Sequence, residues 1–186
     1  MKNLKTKELV FCGLFVALTA VGAFIQVPVP GMDYFTLQFL FVLMSGLLLG
    51  SKLGGIAVLS YVFIGLVGVP IFAAGGGIGY VLRPSFGYLI GFIVAAYVTG
   101  LVAEKMKAKT FWMYMPACFA GLVVCYGIGL VYKYFMLNLY VGEKTPFPLV
   151  LADCFPLDLP GDIVLSIVAA LVAVRLRPVI RKYIFE

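Results

Sequence analysis

Histidine is absent from this chain of 186 residues, and charged side chains make up only 12% of it. Without histidine there is no imidazole for acid–base catalysis, no serine triad of the usual form and no H-E-x-x-H zinc site. A soluble domain carries about 25% charged residues. The shortage of charge, together with 63% hydrophobic residues and a mean hydropathy of +1.12, predicts an integral membrane protein.

The four cysteines form no C-x-x-C pair, so neither a zinc site nor a thiol-redox site is expected. Cys12, Cys118 and Cys125 fall in apolar runs, where a thiol behaves as a small hydrophobic group. Cys154 lies in a predicted loop as a lone thiol. The sequence therefore predicts no metal and no cofactor.

Apolar runs predict six membrane-spanning helices, because a span needs about 20 mostly apolar residues. The predicted spans are 8–25, 35–50, 53–69, 84–103, 112–137 and 160–177. The connections are too short for a soluble domain, although the one over 140–159 is the longest. We therefore expect a single all-α domain over residues 1–186, a compact six-helix transmembrane bundle.

Lysine and arginine are distributed unequally between the two sides of this bundle. An even number of spans puts both termini on one side, which carries Lys2, Lys5, Lys7, Lys52, Lys105, Lys107, Lys109, Arg175, Arg177, Arg181 and Lys182. The other side has Arg83, Lys133 and Lys144. The positive-inside rule predicts that both termini are cytoplasmic in a multi-pass cell-membrane protein. The net charge of +6 thus reflects orientation in the bilayer and not a nucleic-acid partner.

The sequence offers no energy source for transport. The nearest string to a nucleotide-binding P-loop runs from Gly46 to Lys52 and has the wrong spacing. The charged networks of a proton-driven carrier are also missing. A membrane enzyme would need a nucleophile with its base or a metal cluster, neither of which is found. A channel would show no saturable ligand binding, so that alternative stays open to experiment.

Three charged residues near span ends are candidate ligand contacts. Asp162 begins span six, where the helix dipole favours a carboxylate, and its alternative role is to accept hydrogen bonds from ligand N–H groups. Lys133 lies near the outer end of span five and either snorkels to the surface or serves a site. Arg83 is either an interfacial anchor or a forked donor to a carboxylate.

Glycines, aromatics and one amide complete the candidates. Gly75, Gly76 and Gly77 form either a plain turn, a lid, or a loop that brings backbone N–H groups close to a ligand. Gln38 is a polar group in an apolar span, suited to bonding a neighbouring helix or a ligand. The outer aromatics, which form either an interfacial belt or the wall of an apolar pocket, are Phe35, Phe72, Tyr80, Phe86, Tyr88 and Tyr126.

Small residues recur at helical spacing in span one, at Gly13, Ala17, Ala20 and Ala23. Such a stripe lets helix backbones approach closely in lipid. It fits either packing inside the bundle or a flat docking face for a partner subunit.

Four stretches in the expected order resemble the BioY family, the biotin-specific S components of energy-coupling-factor transporters. They are Gln26–Pro30 with Phe35–Gln38, Gly65–Ala73 with the glycine cluster, Pro84–Phe92, and Pro160–Asp162. The resemblance implies a six-helix subunit whose outward pocket is covered by the loops after spans one and three. It also implies biotin as substrate, with a transmembrane coupling protein and two ATP-binding subunits as partners. Docking to these partners would use Ala17, Ala20 and Ala23.

The chain departs from the family pattern at two positions. Leu165 stands where the family's Pro-Gly-Asp-x-x-Lys has its lysine, and Gly76 stands where an asparagine is frequent. The resemblance gives Asp162 the ureido N–H groups of biotin. We therefore expect Lys133 to contact the ureido carbonyl in place of the missing lysine, and Arg83 to receive the carboxylate. Lipoate or a biotin precursor is the alternative substrate.

Overall fold

The computed structural model describes residues 5–28, 34–152 and 158–185. The helices are α1 (Thr6–Phe24), α2 (Gln38–Leu49), α3 (Ser51–Leu66), α4 (Phe86–Lys105), α5 (Phe111–Phe135), α6 (Phe147–Ala152) and α7 (Asp158–Phe185). The strands β1 (Gln26–Pro28) and β2 (Tyr34–Thr36) form a short antiparallel hairpin. The structure is 80% helical, which confirms the all-α class. Cys154 and Lys2 lie outside the described residues.

Six of these helices overlap the six predicted spans, with differences at the ends. The start of the predicted second span is instead strand β2, because residues 34–36 pair with residues 26–28 and the helix begins only at Gln38. Helix α5 continues into a π-helical turn, Met136–Val141. Helix α7 extends to Phe185 and not to Arg177, because Ile184 on its last turns is still buried.

The predicted loop over 140–159 is also partly helical. Helix α6 forms within it, and the backbone N–H groups of Leu149 and Val150 donate to the carbonyl of Pro146. Pro148 is compatible with this short helix because proline is tolerated in a first turn, where its missing N–H would be unpaired in any case.

Among the described residues, four helices are long and apolar enough to cross a membrane: α1, α4, α5 with its π-helical turn, and α7. Helices α2 and α3, of 12 and 16 residues, are apolar but shorter. Large apolar side chains remain exposed on the outer faces of the bundle, among them Phe63, Phe119 and Leu171. A surface of this kind is stable in lipid and not in water.

Glycines allow α4 to lie close to its neighbours. A Cβ at Gly46 of α2 would meet the backbone oxygen of Ala96, and one at Gly91 would lie 2.8 Å from the backbone oxygen of Cys125 on α5. A Cβ at Gly100 would lie 2.5 Å from the backbone nitrogen of Ser51 on α3. Close backbone contact of this kind is how helices associate in lipid, where no hydrophobic force acts between them.

The helix ends that carry most of the basic residues are joined by polar contacts. Arg181 of α7 forms a salt bridge with Glu104 of α4 at 2.9 Å, and Glu104 accepts a hydrogen bond of 2.8 Å from the hydroxyl of Ser51. Arg177 is buried, donates to the carbonyls of Ala103 and Ala108, and lies over the ring of Tyr114. These contacts connect α3, α4, α5 and α7 at one end of the bundle.

Replacement of Gly46 by valine is expected to destabilise the bundle, because the new side chain would occupy the space of the α4 backbone. Overpacking of this kind costs about 1–3 kcal/mol of unfolding free energy. The measurement is thermal unfolding of the purified chain in detergent. Gly127→Val is the matched control, because a Cβ at Gly127 meets nothing within 4 Å; equal unfolding temperatures for the two variants would contradict the packing argument.

Candidate functional site

A cavity of about 510 Å³ lies at the end of the bundle opposite the basic helix ends. Its walls come from the hairpin strand β2, the start of α2, the segment after α3, the start of α4, the outer part of α5, and the start of α7. The lining residues are Tyr34, Phe35, Thr36, Gln38, Phe39, Ala73, Ala74, Tyr80, Pro84, Ser85, Tyr88, Leu89, Phe92, Tyr126, Lys133, Leu137, Glu143, Thr145, Leu149, Asp158 and Asp162. The volume is in the range of small-molecule sites, about 300–1,000 Å³.

Asp162 is a buried carboxylate at the inner part of this cavity. It is only 9% exposed, and one of its oxygens, Oδ2, accepts a hydrogen bond of 2.8 Å from the hydroxyl of Tyr126. It lies in the first turns of α7, where the helix dipole favours negative charge. A carboxylate has more acceptor sites than this one bond uses, so it can also accept from a ligand N–H.

Gln38 lines the cavity while its amide is bonded within the protein. Its side-chain nitrogen donates to the hydroxyl of Tyr61 at 2.7 Å, and Tyr61 donates to the carbonyl of Ile71 at 2.8 Å. The Gln38 oxygen accepts from Thr36 at 3.0 Å. Gln38 thus connects α2 to α3 and to the segment after it. These contacts agree with the interpretation that Gln38 bonds a neighbouring helix.

Two glycines let aromatic rings reach the cavity. A Cβ at Gly129 would lie 2.5 Å from the ring of Tyr88, and one at Gly161 would lie 2.5 Å from the ring of Phe35. Tyr88 packs edge-on against Tyr126, with ring centroids 5.7 Å apart. Phe35, Tyr88 and Tyr126 therefore form a largely apolar wall beside Asp162, as the outer aromatics of the sequence suggested.

Lys133 also lines the cavity, on the same helix as Tyr126 and seven residues further along. At 1.5 Å per residue this separation is about 10 Å along the axis of α5, or two turns. Within the described lining Lys133 is the positive side chain, and Asp158, Asp162 and Glu143 are the negative ones. The cavity therefore combines a carboxylate at its inner part with a cation nearer its mouth.

Six of the candidate residues lie outside the cavity lining: Arg83, Phe72, Phe86, Gly75, Gly76 and Gly77. Arg83 is exposed, with its guanidinium 5.3 Å from the ring centroid of Tyr80. Phe72 is 1% exposed and packs between Tyr61 and Tyr80 against Gly65. Phe72 is therefore part of the core. The chain turns back at this point, and the backbone of Phe72 pairs with that of Gly75.

The three glycines of the cluster shape the segment that carries other lining residues. Gly75 and Gly77 have φ values of +108° and +101°, which residues with a side chain rarely adopt. The N–H of Gly77 donates to the carbonyl of Gly65 at 2.7 Å, and a Cβ at Gly76 would meet the carbonyl of Val69. The cluster therefore turns the chain tightly against the end of α3, while Ala73 and Ala74 reach the cavity.

Several lining residues were missed by sequence reasoning, notably Ser85, Glu143 and Asp158. Ser85 stands within the Pro84–Phe92 stretch that resembles the family, so its position beside Pro84 at a helix start was the available signal. Glu143 follows the π-helical turn and Asp158 begins α7, and no local pattern indicates that either side chain reaches the cavity. Their contribution depends on how the ends of these two elements are placed around it.

The predicted docking residues of α1 differ in exposure. Ala17 is exposed and Ala20 is half-buried, whereas Ala23 is fully buried against the bundle. Since Gly22 beside it also abuts the start of α2, this end of α1 is a packing surface. The exposed side of α1 carries larger apolar groups, at Val10, Leu14, Val21 and Phe24.

Comparison with known proteins identifies the family. The model of the BioY family matches residues 1–182, and the chain belongs to that family. A protein of Lysinibacillus sphaericus named a probable biotin transporter BioY is 42% identical over 97% of this chain and 92% of its own length. The biotin transporter BioY of Thermotoga maritima is 40% identical over 92% of this chain and 96% of its own length. The resemblance drawn from the sequence is thus confirmed.

A solved structure supports the same fold. The crystal structure of the S-component for biotin from an ECF-type ABC transporter superposes with a TM-score of 0.82. The superposition covers 96% of this chain and 94% of the chain in the solved structure, at 24% sequence identity. At this identity the likeness shows the fold. Membership of the BioY family, whose named relatives are transporters, makes the chain a multi-pass membrane protein of the transporter class and not an enzyme.

Proposed function

We propose that this chain is the substrate-binding subunit of an ATP-driven vitamin importer, which binds biotin from outside the cell and releases it inward. Release requires coupling to a module made of a transmembrane coupling protein and two ATP-binding subunits. The observation that carries the proposal is the cavity with a buried carboxylate at one end and a cation nearer its mouth. The names of the relatives and of the structural neighbour favour biotin as the ligand.

Biotin fits the chemistry of this cavity. Its ureido ring carries two N–H donors, its sulfur-containing ring and alkyl chain are apolar, and its tail ends in a carboxylate. Asp162 accepts from the ureido N–H groups, while Phe35, Tyr88 and Tyr126 contact the apolar rings. Binding sites of this kind combine apolar walls with a few polar groups that fix orientation.

Of the alternative ligands, lipoate differs from biotin at the polar ring, whereas a biotin precursor that keeps the ureido ring offers the same two N–H donors. Lipoate has no ureido group, so it would leave Asp162 buried without a new donor, which is unfavourable. Leu165, which stands in place of the family lysine, is 8% exposed on α7 and offers no polar contact. The cavity therefore favours a ligand whose ring donates to Asp162, and biotin meets this condition.

The first test is equilibrium binding to the purified chain in detergent. We expect biotin to bind saturably at one site, and Asp162→Asn to weaken it by at least about tenfold, or about 1.4 kcal/mol. The amide keeps the size of the carboxylate and removes one acceptor and the charge. Glu143→Gln is the control, since Glu143 is an exposed acid at the cavity and its change is not expected to weaken binding.

If lipoate bound tightly and biotin did not bind, lipoate would be the substrate in place of biotin. Absence of any saturable ligand would instead favour a channel or a purely structural subunit.

Lys133→Met is expected to weaken biotin binding at least about tenfold, because the variant keeps much of the side-chain length and loses the cation. Arg83, expected from the sequence to receive the carboxylate, lies outside the lining. Lys133, expected to contact the ureido carbonyl, lies about 10 Å along α5 from Tyr126, the partner of Asp162, so we assign the carboxylate to it instead. Lys144→Met is the matched control, since Lys144 is an exposed lysine of the same outer region. Unchanged affinity in Lys133→Met would contradict this role.

Six spans with both termini in the cytoplasm form the proposed topology, supported by the excess of lysine and arginine at one end of the bundle. In a cysteine-free background, Lys144→Cys is expected to react with a membrane-impermeant thiol reagent in intact cells. Lys109→Cys is expected to react only after the cells are opened. Both lysines are exposed, so access to the reagent depends on the membrane side alone. The reverse labelling pattern would contradict the topology.

A further inference from the structure

Three consecutive hydrogen bonds join two walls of the cavity that lie far apart in the sequence. Thr36 of β2 donates to the side-chain oxygen of Gln38 at 3.0 Å, and the Gln38 nitrogen donates to the hydroxyl of Tyr61 at 2.7 Å. The same hydroxyl donates to the carbonyl of Ile71 at 2.8 Å. These bonds form the Thr36–Ile71 network, which runs from the hairpin through α2 and α3 to the segment after α3.

The central members of this network are buried. Tyr61 is 0% exposed and Gln38 is 4% exposed. The Tyr61 hydroxyl accepts one bond and donates another, so it keeps both only while Gln38 and Ile71 are in place. A buried polar group that loses its partner is destabilising. Displacement of the hairpin would leave the Gln38 oxygen without its donor, and displacement of the segment after α3 would leave the Tyr61 hydroxyl without its acceptor.

Both ends of the network carry residues that line the cavity. Phe35 and Thr36 line it from the hairpin. Ala73 and Ala74 line it from the segment after α3, within three residues of Ile71. The position of each end therefore decides where one wall of the cavity stands.

The segment after α3 is a compact turn held against that helix. The ring of Phe72 lies edge-on to the ring of Tyr61, with centroids 5.5 Å apart, in space that a Cβ at Gly65 would occupy. The backbone of Phe72 pairs with that of Gly75. The bond from Tyr61 to Ile71 is thus part of what positions this turn, and with it the cavity wall.

We propose that the Thr36–Ile71 network makes the positions of these two walls interdependent, and that Tyr61 is a positioning residue for ligand binding. Tyr61 lies outside the described cavity lining, so it acts through Gln38 and Ile71 and not by touching the ligand. Loss of the Thr36 bond frees the Gln38 amide to turn, which weakens its bond to Tyr61, since bonds in a network strengthen one another.

The consequence for binding rests on the proposed function. A ligand in the cavity is enclosed by both walls, so it binds tightly only while both are in place. A change at one end of the network therefore lowers affinity through the wall at the other end as well as through its own.

The first experiment is a double-mutant cycle on biotin binding to the full-length protein in detergent. Thr36→Val and Tyr61→Phe each remove one hydroxyl and nearly keep the size of the side chain. We expect each to weaken binding at least about fivefold, as for energetically coupled positions. The double variant should be no more than about twofold weaker than the weaker-binding single variant, because the second change acts on a network already broken. A direct contact of Thr36 with the ligand would instead give losses that multiply.

Two further variants are matched controls. Thr19 is a buried threonine of α1 whose hydroxyl bonds the carbonyl of Phe15 within its own helix. Thr19→Val is expected to leave biotin binding unchanged, alone or combined with Tyr61→Phe. Thr36→Ser keeps the hydroxyl and is expected to retain most of the affinity. Thermal unfolding of each variant checks that the bundle is intact.

The second experiment needs neither a ligand nor the Tyr61→Phe variant. In a cysteine-free background, Ala74→Cys places a thiol on the half-buried segment after α3. Adding Thr36→Val, at the opposite end of the network, is expected to raise the rate of reaction with a small thiol reagent at least about fivefold. Adding Thr19→Val should leave that rate unchanged.

The outcomes separate this inference from the proposed function. Affinity losses that do not multiply, together with faster labelling of Ala74→Cys, support the network. Losses that multiply, single variants that bind like the wild type, or a labelling rate unaffected by Thr36→Val overturn it. If the wild-type chain does not bind biotin, the proposed function fails, and the labelling rate alone decides whether the network links the two walls.

Discussion

Close contact between helix backbones is the constraint on which the rest of this structure depends. In lipid, helices gain little from burying apolar side chains, so they associate through tight packing where glycine and alanine remove the side-chain barrier. Gly46, Gly91 and Gly100 allow α4 to contact α2, α5 and α3 in this way. The same contacts fix the relative heights of α4 and α5, and hence the depth at which each side chain enters the cavity.

Polar groups are concentrated at the two ends of the bundle, and the two ends differ in kind. At the basic end, Glu104, Arg181 and Arg177 bond to neighbouring helices. At the other end, Asp162 and Lys133 face an open volume. One end held by bonds between helices and another end that contains a cavity suit a subunit that takes up a ligand on one side of a membrane.

The hydrogen bond between Tyr126 and Asp162 joins the packing to the chemistry. A buried carboxylate is costly unless it is bonded, and Tyr126 supplies that bond from a different helix. Tyr126 is itself positioned by Tyr88, which fits beside Gly129. The inner part of the cavity therefore depends on three helices meeting correctly, and displacement of α4 would alter it without any change to Asp162.

Much of this protein was accessible from its sequence. The apolar runs determined the all-α membrane class, since length and hydropathy alone decide whether a helix suits the bilayer, and the order of local motifs indicated the family. Asp162 and Lys133 were named because charged side chains are uncommon in apolar spans. The aromatic wall was named because aromatic side chains near span ends form either an interfacial belt or the wall of an apolar pocket. Only the tertiary structure decided that Arg83 and Phe72 lie outside the cavity and that Ser85 lines it. Local sequence gives a residue its chemistry, but its direction and depth depend on how α4 packs against α5 and how the connections fold back, which are contacts between segments far apart in the chain.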